Sequence, residues 1–134
     1  MMTCPCQSTK PFNVCCEPLL QGRRVANTPV QLMRSRYSAF ALGGYGDYLL
    51  ATWAAEETAG LTVANLSQRN LDWQGLEIVH KAQQGEQAWV EFKAFYSEPH
   101  HLEHSGNAVH KVHHERSSFV RRKDRWFYLN GEVF

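Results

Sequence analysis

Two hydrophobic periods divide the chain. In TPVQLMRSRYSAFAL, Leu32, Met33, Tyr37, Phe40 and Ala41 recur at helical spacing and form one apolar stripe. Thr28 supplies a cap, Pro29 suits the first turn, and Gln31 completes a capping box. Gly43 and Gly44 then stop the helix. Asp47 is the predicted cap of a second helix, YLLATWAAE, whose Tyr48, Leu49, Ala51, Thr52 and Trp53 leave few polar positions. Thr62 opens a third, short helix towards Arg69. From Trp73 onward the period becomes two. Val90, Phe92, Ala94 and Tyr96 alternate with Trp89, Glu91, Lys93 and Phe95, as in a strand with one buried face. GLEIVHKA reads similarly and connects through QQGEQ; AVHKVHHERSSFVRR is a third strand, turned by KDR into a fourth, WFYLNGEVF. Helices followed by an antiparallel meander predict an α+β fold, with helices packed on one face of a curved sheet. Sheet twist leaves room for a concave pocket between the layers.

Composition narrows the class without naming a chemistry. At 134 residues the chain has the length of about one domain. No apolar run approaches the roughly 18–20 residues that a membrane span requires. MMTCPCQSTK lacks a basic region followed by an apolar one, so it is not expected to be a secretory signal. A net charge of +1 argues against nucleic-acid binding by electrostatics alone, and RRKDR reads as an exposed hairpin tip. GGYG lies between two helices, the wrong context for a phosphate loop.

The cysteines are the unusual feature. Cys4, Cys6, Cys15 and Cys16 form C-x-C-x8-C-C, and none follow. In a reducing cytoplasm structural disulfides are rare. Neighbouring Cys15 and Cys16 bond each other poorly, and a Cys4–Cys6 bridge closes a small strained ring, although cross-bridges between the pairs remain sterically allowed. Two close thiolate pairs on a short loop suit a tetrahedral, closed zinc site. Zinc would order a segment too small and polar to fold unaided.

CPCQSTKPFNVCC resembles the SEC-C motif, a zinc-binding knuckle also found at the end of the preprotein translocase motor. Cys4, Cys6, Cys15 and Cys16 fall on its four ligand positions, and Lys10 and Phe12 match common choices between the pairs. Gln7 and Thr9 stand where the motif carries glycines, residues that permit a positive φ. Further on, TPVQLMRSRYSAFALG, DYLLATW, LDWQGLEI, VEFKAFY, HERSSF and RWFYLNGEV resemble successive blocks of the YchJ family of bacterial proteins. That resemblance implies a SEC-C knuckle with connector over residues 1–24. It also implies a cystatin-like, cone-shaped domain of the nuclear transport factor 2 type over residues 25–134. The knuckle implies structure or partner docking and no catalytic role. The cone superfamily includes enzymes, ligand binders and docking domains, so the fold does not choose among them.

The candidate pocket residues are Arg34, Arg36, Tyr37, Glu115 and Ser117. By alternation Glu115, Ser117 and Phe119 share one strand face, while His114 and Arg116 share the other. A desolvated Glu115 would have a raised pKa unless a cation such as Arg34 or Arg36 met it. An acid/base or ligand clamp competes here with a buried network that merely fixes helix to sheet. Glu91 is read as facing solvent beside Lys93. Six of the seven histidines lie between His100 and His114, with His100, His101 and His104 in an apparent loop. His113 and His114 point to opposite faces, so solvated or hydrogen-bonded histidines are preferred over a second metal site. The tryptophans and tyrosines serve either as core or as an aromatic pocket lining. The expectation is a zinc-bearing interaction or accessory module of the bacterial cytoplasm, docking to a chaperone, translocation component or ribosome. The alternative is an enzyme or small-molecule binder that uses the cone.

Overall fold

The computed structural model describes residues 2–69, 71–102 and 108–134, with the side chains of 99–102, 108 and 109 excepted. Four short or medium helices precede one four-stranded sheet: α1 Glu17–Leu20, α2 Pro29–Leu42, α3 Gly46–Ala51 and α4 Val63–Leu66, then β1 Asp72–Gln84, β2 Gln87–Leu102, β3 Ala108–Arg122 and β4 Arg125–Val133. The strands run antiparallel in sequence order. Register shifts in β1 near Trp73 and Ile78, and between Ser118 and Phe119, mark bulges. Such bulges bend a sheet and deepen its twist. The β3–β4 connection is a two-residue turn in which Lys123 and Asp124 both take positive φ, the handedness that matches strand twist.

The period-two reading places the right residues inside. Val90, Phe92 and Ala94 are buried, as are Ser117 and Phe119 on β3, while Glu91 and Lys93 lie on the other face. Residues 100 and 101, read as loop, belong to β2; His104 lies outside the described residues.

α2 follows its sequence signals closely. The Thr28 hydroxyl accepts from the Gln31 N–H at 3.1 Å, and the Gly43 N–H bonds Ala39 with φ at 74°. Gln31 reaches back to the Asn27 N–H at 2.7 Å, one residue before the cap. Burial exceeds the predicted stripe, because Ser35, Arg36 and Ser38 are buried alongside Leu32, Met33 and Tyr37. The helix is covered on several sides, by the sheet, by α3 and by the cysteine segment.

The second helix departs from expectation at both ends. Tyr45 rather than Asp47 stands at its cap, and Asp47 lies in the first turn. The helix stops at Ala51 instead of running into residues 52–56. Backbone bonding explains the stop: the Tyr128 N–H bonds Thr52 at 2.8 Å and the Ala54 N–H bonds Tyr128 at 2.7 Å. Those β4 partners replace the helical ones, and Trp53 packs edge-on against Tyr128. Residues 52–54 are thus held against β4. α4 keeps its predicted Thr62 cap but ends at Leu66, short of Arg69.

Candidate metal centre and cone cavity

The N-terminal segment folds back on itself. Cys4 and Phe12 donate backbone N–H groups to Lys10 and Met2, and a turn of 3-10 helix at Phe12–Val14 leads to Cys15. The turn between the pairs requires φ of 68° at Gln7 and 72° at Thr9, the two positions where the motif carries glycine. Ser8, between them, places its hydroxyl 3.1 Å from Cys15 Sγ, and the Lys10 N–H donates to that hydroxyl.

The four Sγ atoms all lie within 4.8 Å of one another. Cys6 and Cys15 are 3.7 Å apart, and Cys15 and Cys16 are 3.9 Å apart. Thiolate bonds of about 2.3 Å to a tetrahedral ion put sulfurs about 3.8 Å apart, so these spacings fit one metal. They are far beyond the roughly 2.05 Å of a disulfide, and all four cysteines are free. Cys4, Cys6 and Cys16 are buried and Cys15 is partly open. Burial pushes the Cys15 thiol up, and Cys16 is pushed up by its buried thiol neighbours Cys4 and Cys6. Hydrogen bonds from Cys16 and Cys4 hold Cys6 down. A bound cation would favour the deprotonated form of these thiols, because thiolates are its ligands.

Two α2 side chains support this loop. Ser38 Oγ lies 3.6 Å from Cys4 Sγ, and Arg34 donates to the Cys6 carbonyl at 2.5 Å. Arg34 is therefore not a cavity residue, contrary to the sequence reading. It sits two residues from Arg36, about 200° around a helix, so the two cannot serve the same site. Cys4, Cys6, Phe12, Cys16, Leu19 and Leu20 join the same buried cluster as the sheet and α2.

A second site lies between α2 and the concave sheet face. A cavity of about 290 Å³ is walled by Met33, Phe40, Trp53, Trp73, Phe92 and Ala94, with Arg36, Tyr37, His113, Glu115, Ser117 and Tyr128 supplying polar groups. Four of the five predicted pocket residues meet here. Glu115 Oε2 accepts from Ser117 Oγ at 2.6 Å and from Tyr128 Oη at 3.0 Å, while Oε1 pairs with His113 Nε2 at 2.8 Å. Burial pushes the Glu115 carboxyl up, but the bonds from His113, Ser117 and Tyr128 outweigh it and hold the group below its usual value. The predicted arginine partner is absent from this set: none of the ion pairs among the described residues joins Arg36 to Glu115. A histidine and two hydroxyls supply the compensation instead.

Arg36 is only 4% exposed. Its Nη1 donates to the Leu49 carbonyl at 2.8 Å and to Thr52 Oγ1 at 2.7 Å. The guanidinium carbon lies 4.7 Å from the ring centres of both Trp53 and Tyr128, which pack edge-on against each other to one side of it. Desolvation lowers its pKa to about 10, opposed by Tyr128, Tyr48 and Glu115, so it stays charged at neutral pH. Burial likewise raises the Tyr37 phenol to about 12.

On the outer sheet face, away from the cavity, His114 pairs with Glu91 at 2.8 Å. His113, overlooked among the pocket candidates, shares the alternation parity of Glu115 and Ser117. Tyr128 was discoverable only through strand register, which pairs it with Phe119. Among the described residues the four cysteines are the group with metal-binding geometry.

Comparison with known proteins agrees with this architecture. A family described as "YchJ, middle NTF2-like domain" matches residues 28–131. A UPF0225 protein of Sodalis glossinidius is 38% identical, with the match covering 96% of this chain and 81% of that protein. A UPF0225 protein of Serratia proteamaculans is 36% identical with the same coverage. Among solved structures, a SEC-C motif containing protein from Rhodopseudomonas palustris superposes with a TM-score of 0.84 at 32% identity, covering 99% of both chains. A SEC-C motif containing protein from Psychrobacter arcticus gives 0.80 at 29% identity, covering 100% of this chain and 84% of that one. With its N-terminal cysteine cluster joined to a nuclear transport factor 2-like cone, the chain belongs to the YchJ (UPF0225) family.

Proposed function

We propose that the chain is a zinc protein of the bacterial cytoplasm that binds a small molecule in its cone cavity, with the knuckle as a structural brace. Zinc is favoured by four thiolate donors at tetrahedral spacing, a soft set that suits this ion. Four free thiols and bacterial relatives support a reducing cytoplasm. The observation that carries the binding role is the cavity itself: an aromatic-walled space of about 290 Å³ into which a few polar groups converge. A solid core would have filled it with side chains.

A thermal-shift screen of zinc-loaded protein against small molecules tests this reading, with Ala94→Phe as the cavity-filling control. A ligand that raises Tm in the wild type, but not in the zinc-loaded variant, supports it. No stabilising ligand from a broad collection counts against it. A second reading is docking of a protein partner (a chaperone, translocation component or ribosome) through the knuckle. It is favoured by the 58% exposure of Val14 beside the thiolate loop. Unchanged partner capture by a zinc-retaining Val14→Asp protein would remove that reading.

A further inference from the structure

We propose that the cone cavity selects small carboxylates carrying an apolar, ring-sized body, with Arg36 as the residue that meets the carboxylate. The inference rests on the cavity-binding reading and adds the ligand's chemistry to it.

The two charged groups of the cavity differ in what the protein leaves unused. Glu115 is occupied: three side chains bond its two oxygens. Its Oε2 also lies tight against β4, since a Cβ placed on Gly131 would stand only 2.1 Å from it. Arg36 is not occupied in this way. Both of its hydrogen bonds leave from Nη1, towards Leu49 and Thr52. No carboxylate among the described residues forms an ion pair with it.

The remaining guanidinium nitrogens, Nε and Nη2, have donors to spare. Among the described residues no fully buried side-chain nitrogen lacks a partner, so these atoms keep access to open space. The cavity provides that space, because Arg36 forms part of its wall. Trp53 and Tyr128 both lie to one side of the guanidinium carbon, and both hydrogen bonds leave from Nη1, so the Nε–Nη2 edge is left for a ligand. A buried guanidinium edge offering parallel N–H donors matches a planar carboxylate. A buried cation without an ion-pair partner also gains most from an anion that arrives in the same low-dielectric space. The rest of the wall sets the ligand's body. Met33, Phe40, Trp53, Trp73 and Phe92 offer apolar and aromatic surface and few groups to satisfy hydroxyls or amides.

The test uses zinc-loaded full-length protein and three probes that differ in charge on one scaffold: phenylacetate, phenylacetamide and phenethylamine. Calorimetry gives each affinity, and loss of binding in the cavity-filling Ala94→Phe protein reports whether binding occurs at the cavity. Phenylacetate is expected to bind roughly tenfold to a hundredfold more tightly than the amide, the range of a charge-assisted hydrogen bond. In Arg36→Met that preference should collapse to about threefold or less. Should Arg36→Met not fold, the wild-type ratio of acid to amide decides alone. Equal binding of acid and amide would overturn the carboxylate inference while leaving cavity binding intact. Tighter binding of the amine would also overturn it, by assigning selectivity to Glu115. If none of the three binds but the screen finds other cavity ligands, the inference again falls by itself.

Discussion

Gly131→Ala probes the polar core of the cone through a single methyl group. Gly131 lies opposite Ser117 in the β3–β4 ladder. A Cβ there would stand 2.1 Å from Glu115 Oε2, 2.4 Å from its Cδ and 2.9 Å from its Cγ. Methyl and carboxylate cannot share that space, so Glu115 must swing away. It then gives up bonds of 2.6 Å from Ser117, 3.0 Å from Tyr128 and 2.8 Å with His113. Ser117 is 1% exposed, and a buried hydroxyl left unmet costs about 1–3 kcal/mol. The two more open bonds contribute about 0.5–1.5 kcal/mol each. A loss of roughly 2–6 kcal/mol is expected, a fall in Tm on the order of 10 °C for a chain of this size.

Urea unfolding of zinc-saturated wild type, Gly131→Ala, Glu115→Ala and the double variant measures the effect. Removing the carboxylate removes the clash, so the double variant should be no less stable than Glu115→Ala. The two changes should therefore couple by more than about 1 kcal/mol. If Gly131→Ala stays within about 0.5 kcal/mol of wild type, or if the two losses simply add, the assigned geometry is wrong.

Acid stability follows from the same carboxylate. Its folded pKa is depressed, so its contribution is present above the usual value of 4.5 and is lost as pH falls through the folded value. Glu115→Gln should flatten the stability–pH profile below that value, and an unchanged profile would contradict the assignment. Arg34→Met removes the donor to the Cys6 carbonyl. It should speed metal loss to a chelator severalfold while leaving cavity binding unchanged; an effect on the cavity alone would reverse the placement. Thr28→Ala deletes the α2 cap and should cost about 1 kcal/mol in urea unfolding.

Much of this arrangement was legible in the sequence because its signals are local. Alternation along β3 orients Glu115, Ser117 and Phe119 together, and a capping threonine with a following proline fixes the start of α2. The pairwise spacing of Cys4, Cys6, Cys15 and Cys16 identifies the thiolate cluster before any coordinates. The same local logic explains the positive φ at Gln7 and Thr9, where the motif expects glycine. What was missed depends on contacts between distant segments. The end of α3 is set by Tyr128, which draws residues 52 and 54 into backbone bonds with β4. Ser38 gains its place beside Cys4 only when the knuckle packs on α2. Arg34 and Arg36 both stand among the candidate pocket cations, whereas helical rotation sends one to the knuckle and the other to the cavity.

The most direct test of the account is X-ray absorption at the zinc edge on protein purified under reducing conditions, with metal content measured on the same sample. The account predicts about one zinc per chain, bound by four sulfurs at about 2.3 Å and lost in Cys6→Ser. A first shell containing nitrogen or oxygen, or a Cys4–Cys15 disulfide in metal-free folded protein, would contradict it.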